Sequence, residues 1–107
     1  MLDVLSKSRY KITKSELVLF TKIANYVLGN RYDLSLLICT DRISKHNVLA
    51  YALSGNEGEI LINPSRRESY SIPHLFVHAC THLRGYNHGK AMNTFEAKVR
   101  MKFDIDE

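Results

Sequence analysis

The stretch Leu34-Ser35-Leu36-Leu37-Ile38-Cys39-Thr40 is a compact apolar run near the middle of the chain. An apolar run of this length predicts a buried β-strand. Two more strands are predicted over residues 48–53 and 59–63, although the alternation in residues 48–53 is too weak to assign its faces. The turn cluster Ser54-Gly55-Asn56-Glu57-Gly58 separates these two strands, and Pro64 closes the second. Together these segments predict a β-sheet.

A helix is predicted before these strands. Thr13, followed three residues later by Glu16, is typical of a capping box at a helix start. Apolar residues then recur at helical spacing until Gly29, which favours a stop. The pattern therefore predicts an amphipathic helix over residues 14–28, and a short first strand is expected over residues 1–6.

Two helices are predicted after the strands. Pro73 favours a first helical turn and Gly85 a helix end, so we expect a helix over residues 73–84. Apolar residues four positions apart predict a final helix over residues 91–103. The resulting order predicts an α+β fold, a small mixed β-sheet packed with helices, with a mixed α/β arrangement as the alternative.

The bulk composition is that of one ordinary globular domain covering residues 1–107. Hydrophobic residues make up 45% of the chain and charged residues 24%, so a core can form without disulfide or metal staples. The formal net charge is +4, which is compatible with a nucleic-acid partner but does not require one. Charge alone therefore favours a nucleic-acid-binding domain and a mildly basic domain without such a partner about equally.

The cysteine content and the hydropathy pattern indicate the compartment. Cys39 and Cys80 lie far apart in apolar stretches, which favours two buried free thiols in a reducing environment. No apolar run approaches the roughly 20 residues that span a membrane, and the N-terminus lacks the apolar core of a signal peptide. We expect a cytoplasmic protein with no membrane partner.

Four of the five histidines lie between His74 and His88. On a helix His78 and His82 are one turn apart on the same face, so both imidazoles can bind one ion. Gly85 can adopt the left-handed conformation that ends the helix and turns the chain back, which brings His88 to the same ion. The pattern predicts a metal site on a helix and the turn after it.

Three histidine ligands leave a fourth coordination position open, as in catalytic zinc sites. Zn²⁺ is therefore the expected cofactor, although three histidines also suit nickel, cobalt or iron. The alternative is that these are ordinary surface or core histidines. Their number, their spacing and the glycine at the turn favour the metal site.

The histidine spacing is also that of the metzincin proteases. Those enzymes need a glutamate directly after the first histidine as general base, and here that position is Ala79. A methyl group cannot accept a proton. A metal-dependent hydrolase of peptides or another substrate is therefore a weaker hypothesis.

The same residues resemble the YbeY family of bacterial endoribonucleases, whose signature reads His-Gly-x-x-His-Leu-x-Gly-Tyr-Asp-His. This chain differs at Ala79, where the family has glycine, and at Asn87, where it has aspartate. The second difference removes a charge near the metal. The matching positions are His78, His82, Leu83, Gly85, Tyr86 and His88.

The resemblance extends over most of the chain, but only the histidine motif is specific. Asn47-Val48-Leu49-Ala50-Tyr51 looks like a drifted form of the family's Asp-Val-Leu-Ser-Phe strand, and Gly58-Glu59-Ile60 looks like its Gly-Asp-Ile strand. The segment after His88, with Phe95 and Glu96, fits the family's C-terminal helix.

One departure concerns an arginine that the family carries before its Asp-Val-Leu motif and that is thought to serve RNA or catalysis. In this chain the corresponding segment, residues 41–46, is much shorter. Arg42 lies in this segment but does not align with the family arginine, so that role is not transferred. The shortened segment motivates an alternative function, a non-catalytic ribosome-associated factor that binds RNA or protein and retains the metal site.

The resemblance implies a metal-dependent endoribonuclease that hydrolyses single-stranded RNA in ribosomal RNA maturation. Single-stranded or ribosomal RNA is the expected partner, and ribosomal proteins are further candidates. Arg84 and Arg42 are the candidate RNA-contacting residues. No general base can be named from the sequence.

The remaining candidates have simpler interpretations. His74 lies one turn before His78 and is expected to pack or face solvent, with lining the site as the alternative. Cys80 is expected to be a core thiol. Tyr86 is expected to cover the turn, with base stacking as the alternative, and His46 to lie in a loop.

Overall fold

The computed structural model describes residues 1–106 as a single mixed sheet packed with three α-helices, which confirms the predicted α+β class. A short 3-10 helix, Pro64–Arg66, follows the last strand. The other elements, in chain order, are β1 Leu2–Ser6, α1 Lys14–Leu28, β2 Asp33–Ile38, β3 Val48–Ala52, β4 Glu57–Ile62, α2 Ile72–Arg84 and α3 Lys90–Lys102.

The four strands lie in the order β1-β2-β4-β3. β2 is parallel to both neighbours, so that Leu36 lies between Val4 of β1 and Ile60 of β4. β3 is antiparallel to β4 and forms one edge of the sheet, with Val48 opposite Ile62. The helix α1 connects the parallel strands β1 and β2, as a parallel pair requires a crossover connection.

The alternation of buried and exposed residues along β2 shows which face of the sheet the helices cover. Leu34, Leu36 and Ile38 are buried, whereas Asp33 and Ser35 are exposed. A strand rises with alternate side chains on opposite faces, so the first set packs against the helices and the second faces solvent. The shared core also contains Ile60 and Ile62 from β4, Phe20, Ile23 and Val27 from α1, Leu75 and Phe76 from α2, and Val99 from α3.

The first helix starts at the predicted capping box. The Thr13 hydroxyl accepts a hydrogen bond from the Glu16 backbone N–H at 3.1 Å, and the Glu16 carboxylate accepts one from the Thr13 N–H at 3.1 Å. Two backbone donors that the helix cannot satisfy are thereby paired. The capping box explains why α1 begins at the predicted residue.

We expect Thr13→Ala to lower the free energy of unfolding by about 1 kcal/mol, because the helix loses its capping acceptor. Urea denaturation of the two proteins measures the difference. Thr94→Ala is the matched control, since Thr94 is an exposed residue inside α3 and alanine favours a helix interior. Equal losses in both variants would show that the cap contributes nothing.

The helix α2 lies at the centre of the packing, in contact with α1, α3, β3 and β4. The Ser71 hydroxyl caps its start by accepting from the His74 N–H at 3.1 Å. Phe76, on its buried face, stacks on Phe20 of α1 with ring centroids 4.7 Å apart. Elements on every side therefore hold α2 in place.

The turn between β3 and β4 is shorter than predicted. Residues 54–58 were expected to form it, but β4 already begins at Glu57, and Gly58 is a buried strand residue. A Cβ atom at Gly58 would meet the Tyr32 hydroxyl and come within 3.2 Å of Leu83. This glycine therefore permits close approach of neighbouring side chains instead of forming a turn.

Both cysteines are buried and free, as predicted. Burial raises the pKa of the Cys80 thiol well above its usual range, so the thiol stays protonated at neutral pH. Within residues 1–106, each helix is too short or too polar to cross a membrane.

Candidate metal centre

The three histidines of the sequence motif meet at one place. His78 and His82 project from the same face of α2, and His88 lies in the segment between α2 and α3. One nitrogen from each ring lies within 4.8 Å of the other two. The ring centroids are 4.7 Å apart for His78 and His82, 4.6 Å for His82 and His88, and 5.5 Å for His78 and His88.

Gly85 produces the chain reversal that brings His88 back. Its φ of 114° and ψ of 4° place it in the left-handed region, which a residue with a side chain rarely adopts. Its N–H donates to the His82 carbonyl at 2.9 Å, and the Tyr86 N–H donates to the Thr81 carbonyl at 3.3 Å. These bonds close the helix end, and the third histidine follows directly.

Hydrogen bonds orient two of the rings. The Nδ1 atom of His78 lies 2.6 Å from a carboxylate oxygen of Glu96, and the Nδ1 atom of His82 lies 3.2 Å from the Tyr86 carbonyl oxygen. Ionised carboxylate and carbonyl oxygens only accept, so each Nδ1 carries the proton and donates it. In the neutral form of each ring, the Nε2 atom is then the unprotonated nitrogen, which can bind a metal ion.

The charge state of His82 also suits a metal ion. Partial burial, followed by repulsion from the His78 and His88 rings, lowers the pKa of His82 below its usual value of 6.5. At neutral pH this imidazole is therefore mostly neutral. Neutral imidazole is the form that coordinates metals, so metal binding has to displace few protons.

The geometry fits one ion of the size of zinc. Nitrogens bound at roughly 2.0–2.1 Å in a tetrahedral site lie about 3.3 Å from one another. The three histidine nitrogens lie within 4.8 Å, so small rotations of the side chains bring them to that spacing. The cluster can hold a metal ion through three ligands and leave a coordination position for another group.

The three histidines line a cleft of about 600 Å³ between α2 and the edge strand β3. Val48, Leu49, Ala50 and Ala52 of β3 form one wall, and the chain reversal after α2 forms the other. The residues that line this cleft include no lysine, arginine, aspartate or glutamate. Positive charge at the cleft would therefore come chiefly from a bound metal ion.

Ala79 lies at the position where the metzincin proteases have their general base. It is 1% exposed and lines the histidine cleft. The Glu96 side chain is buried and bonded to His78, and it is not among the residues that line the cleft. Within the described residues the cleft therefore lacks a side chain suited to the role of the metzincin glutamate.

Neither of the predicted RNA-contacting arginines lines the histidine cleft. The Arg84 guanidinium donates to the Val27 carbonyl at 3.0 Å and lies 4.9 Å from the centre of the Phe95 ring, beside a separate pocket. Arg42 is exposed in the turn after β2. Their contact with RNA stays a prediction.

Two aromatic side chains beside the site stack on other rings. Tyr86 stacks on Phe95 of α3 with centroids 5.0 Å apart, as expected for a residue that covers the turn. His74 stacks on Tyr70 with centroids 4.7 Å apart and also lines a second cavity. His74 therefore packs as expected, and the cavity that it lines is not the histidine cleft.

Glu96 is the site residue that the sequence did not assign. It lies on α3, 18 residues from His78, and is 6% exposed. No spacing rule connects residues on two different helices, so its role depends on how α3 packs against α2. The signal available in the sequence was a glutamate at helical spacing from Met92 and Val99, which places its carboxylate on the apolar face of the helix.

We expect Glu96→Gln to weaken zinc binding by about 10–100-fold, because the substitution removes the charge that orients and polarises His78. Competition with a chromophoric zinc chelator measures the affinity. Glu57→Gln is the matched control, since Glu57 is an exposed carboxylate at the start of β4. Unchanged affinity in Glu96→Gln would show that the His78–Glu96 contact does not support the site.

The arrangement is thus a cluster of three oriented imidazoles that faces an open cleft. Such a site can bind a divalent transition metal ion and one further ligand from the cleft. Comparison with protein-family models and with curated protein sequences finds no match to this chain. The chemistry of the site therefore rests on its own residues.

Proposed function

We propose that this protein is a zinc-dependent endoribonuclease that cleaves single-stranded RNA and acts in ribosomal RNA maturation. The observation that carries the proposal is the cluster of His78, His82 and His88, which opens on a cleft. A structural zinc site is closed by four protein ligands, whereas three ligands and an open position are typical of catalysis.

Zinc is the proposed ion because three imidazoles match its preference for nitrogen ligands and tetrahedral geometry. All three ligands are neutral, so the ion keeps its full double positive charge. In a cleft without lysine or arginine, that charge is what would attract a phosphodiester. When bound, zinc lowers the pKa of a coordinated water and polarises a phosphoryl oxygen.

The chain's own residues have distinct roles in this proposal. His78, His82 and His88 hold the ion. Glu96 and the Tyr86 carbonyl keep two of the rings in the tautomer that leaves Nε2 free. The wall of β3 confines the substrate beside the ion.

RNA as substrate is supported by the resemblance of the histidine motif to the YbeY family. The excess of 15 lysines and arginines over 11 acidic residues favours a polyanionic partner. A flexible single strand can follow a cleft between a helix and a sheet edge more readily than a rigid duplex. Ribosomal RNA as the natural target rests on the resemblance alone.

The test is cleavage of a labelled single-stranded RNA by the zinc-loaded protein. We expect cleavage that stops with a chelator, returns with added zinc, and falls more than about a hundredfold in His82→Ala, since even an outer-sphere contact contributes 10–100-fold. His46→Ala, a substitution of an exposed loop histidine, is the control and should cleave normally. Equal rates in His82→Ala and the wild type would refute the proposal.

A second candidate function is a non-catalytic ribosome-associated factor. It is favoured by the absence of a lysine or arginine among the residues that line the histidine cleft. The short segment before β3, residues 41–46, is also held at its start by an ion pair. Arg66 donates two hydrogen bonds to the Asp41 carboxylate, at 2.6 and 3.1 Å. The Arg66 guanidinium is therefore already paired with a carboxylate.

Binding separates the two candidate functions. The non-catalytic factor predicts that folded His82→Ala protein still binds ribosomal RNA or ribosomal proteins with wild-type affinity, and that the wild type leaves the RNA intact. Loss of binding together with the metal would contradict it. Chelator-sensitive cleavage would favour the nuclease.

A further inference from the structure

A second cavity, of about 590 Å³, adjoins the metal centre on the other side of His78. It shares Asn47, Val48 and His78 with the histidine cleft, so the two spaces meet at these residues. Its volume lies in the range of small-molecule binding sites. We refer to it as the Tyr70 cavity.

One wall of the Tyr70 cavity is aromatic. The rings of Tyr70 and His74 stack with an interplanar angle of 23° and centroids 4.7 Å apart. Tyr70 remains 40% exposed although His74 covers one of its faces. This ring pair is a rigid, flat surface on which another planar group can stack.

The rest of the lining is polar and suited to hydrogen bonds. The amide side chains of Asn47 and Asn93 each offer both donors and an acceptor, and Arg100 adds a positive charge. The Glu96 carboxylate, which bonds to His78, also lines the cavity. Val48 and Leu75 supply apolar surface. A flat aromatic wall beside amides that donate and accept is the combination that proteins use to hold an unpaired nucleobase.

We infer that the Tyr70 cavity is a nucleobase subsite, which holds one unpaired base next to the phosphate at the metal centre. The inference rests on the proposed function for the phosphate position. A base in a duplex is stacked and paired, so it cannot enter the cavity. The subsite would thereby restrict the protein to single-stranded or unpaired nucleotides and orient the strand across His78.

The probe that tests the subsite is adenosine 5′-monophosphate, which carries a base and a phosphate but no internucleotide bond. Ribose 5-phosphate is the matched probe without a base. Titration of the zinc-loaded full-length protein by calorimetry or NMR gives both affinities. We expect the mononucleotide to bind at least about tenfold more tightly than the sugar phosphate, which is within the effect of one stacked base.

Substitutions of tyrosines inside and outside the cavity test where the base binds. Tyr70→Ala should weaken mononucleotide binding about tenfold and leave ribose 5-phosphate binding unchanged, whereas Tyr70→Phe should retain the wild-type affinity because it keeps the ring. Tyr51→Ala removes a ring of similar exposure, 48%, outside the cavity and should change neither affinity. Thermal denaturation confirms that each variant is folded.

Equal affinity for the two probes in the wild type would overturn the subsite. A mononucleotide affinity that Tyr70→Ala leaves unchanged would overturn it as well. If RNA is cleaved and either of these results is obtained, the nuclease proposal is retained and the subsite is rejected. Base-dependent and Tyr70-dependent binding without RNA cleavage would establish the subsite and remove the nuclease.

Discussion

Zinc is expected to stabilise the wild-type protein by about 2.7 kcal/mol when the free ion exceeds its Kd a hundredfold, and to have little effect on His82→Ala. We expect the ion to bind the folded chain, because folding brings His78, His82 and His88 together. Stabilisation of this size corresponds to a rise in melting temperature on the order of 10 °C for a domain of about 100 residues. Thermal denaturation with and without zinc measures it.

Two further variants define the origin of this stabilisation. His88→Ala should lose the zinc-dependent shift, although His88 is exposed and lies outside the helices, because it supplies the third ligand. His46→Ala should keep the full shift. A shift that persists in His82→Ala and His88→Ala would mean that zinc binds elsewhere.

Phe76→Ala is expected to lower the free energy of unfolding by about 3–5 kcal/mol. Phe76 is fully buried in α2 and stacks on Phe20, so truncation leaves a cavity between the two helices and removes an aromatic contact. The total stability of a domain is only about 5–15 kcal/mol, so most of it could be lost. Urea denaturation at neutral pH measures the change.

The matched control is Val18→Ala on α1, a truncation of an apolar side chain that is 53% exposed. It should change stability by no more than about 0.5 kcal/mol. A loss below about 1 kcal/mol in Phe76→Ala would contradict the packing of α2 against α1. The same packing positions the metal ligands, so that result would also weaken the account of the site.

The helices were the most predictable part of this fold because their ends carry local signals. Thr13 and Glu16 form a reciprocal cap, and Gly85 adopts the conformation that only glycine reaches easily. These signals depend on residues within one turn of each other. They set the bounds of α1 and the end of α2 without any knowledge of the tertiary structure.

The sheet was less predictable because strand pairing joins distant segments. The apolar run in β2 predicts burial, but parallel pairing to both β1 and β4 depends on the crossover connections. Gly58 was expected in a turn because glycine is frequent there, whereas it serves a close approach of Tyr32. Such contacts are set by tertiary packing.

The site shows the same difference between features that local sequence predicts and features that tertiary packing sets. The three histidines lie within eleven residues, and helical geometry alone predicts that they converge. Glu96 and the Tyr70 cavity depend on how α3 and the segment before α2 pack beside His78. The convergence of the three histidines was therefore predictable, while the residue that orients His78 and the neighbouring cavity were not.

The central claim is that His78, His82 and His88 bind a single metal ion. Anomalous diffraction at the zinc absorption edge, from crystals of the zinc-loaded protein, tests it most directly. We expect one strong peak at roughly 2.0–2.1 Å from one nitrogen of each of the three rings. A zinc-loaded crystal with no peak between these rings, or with the ion bound elsewhere, would contradict it.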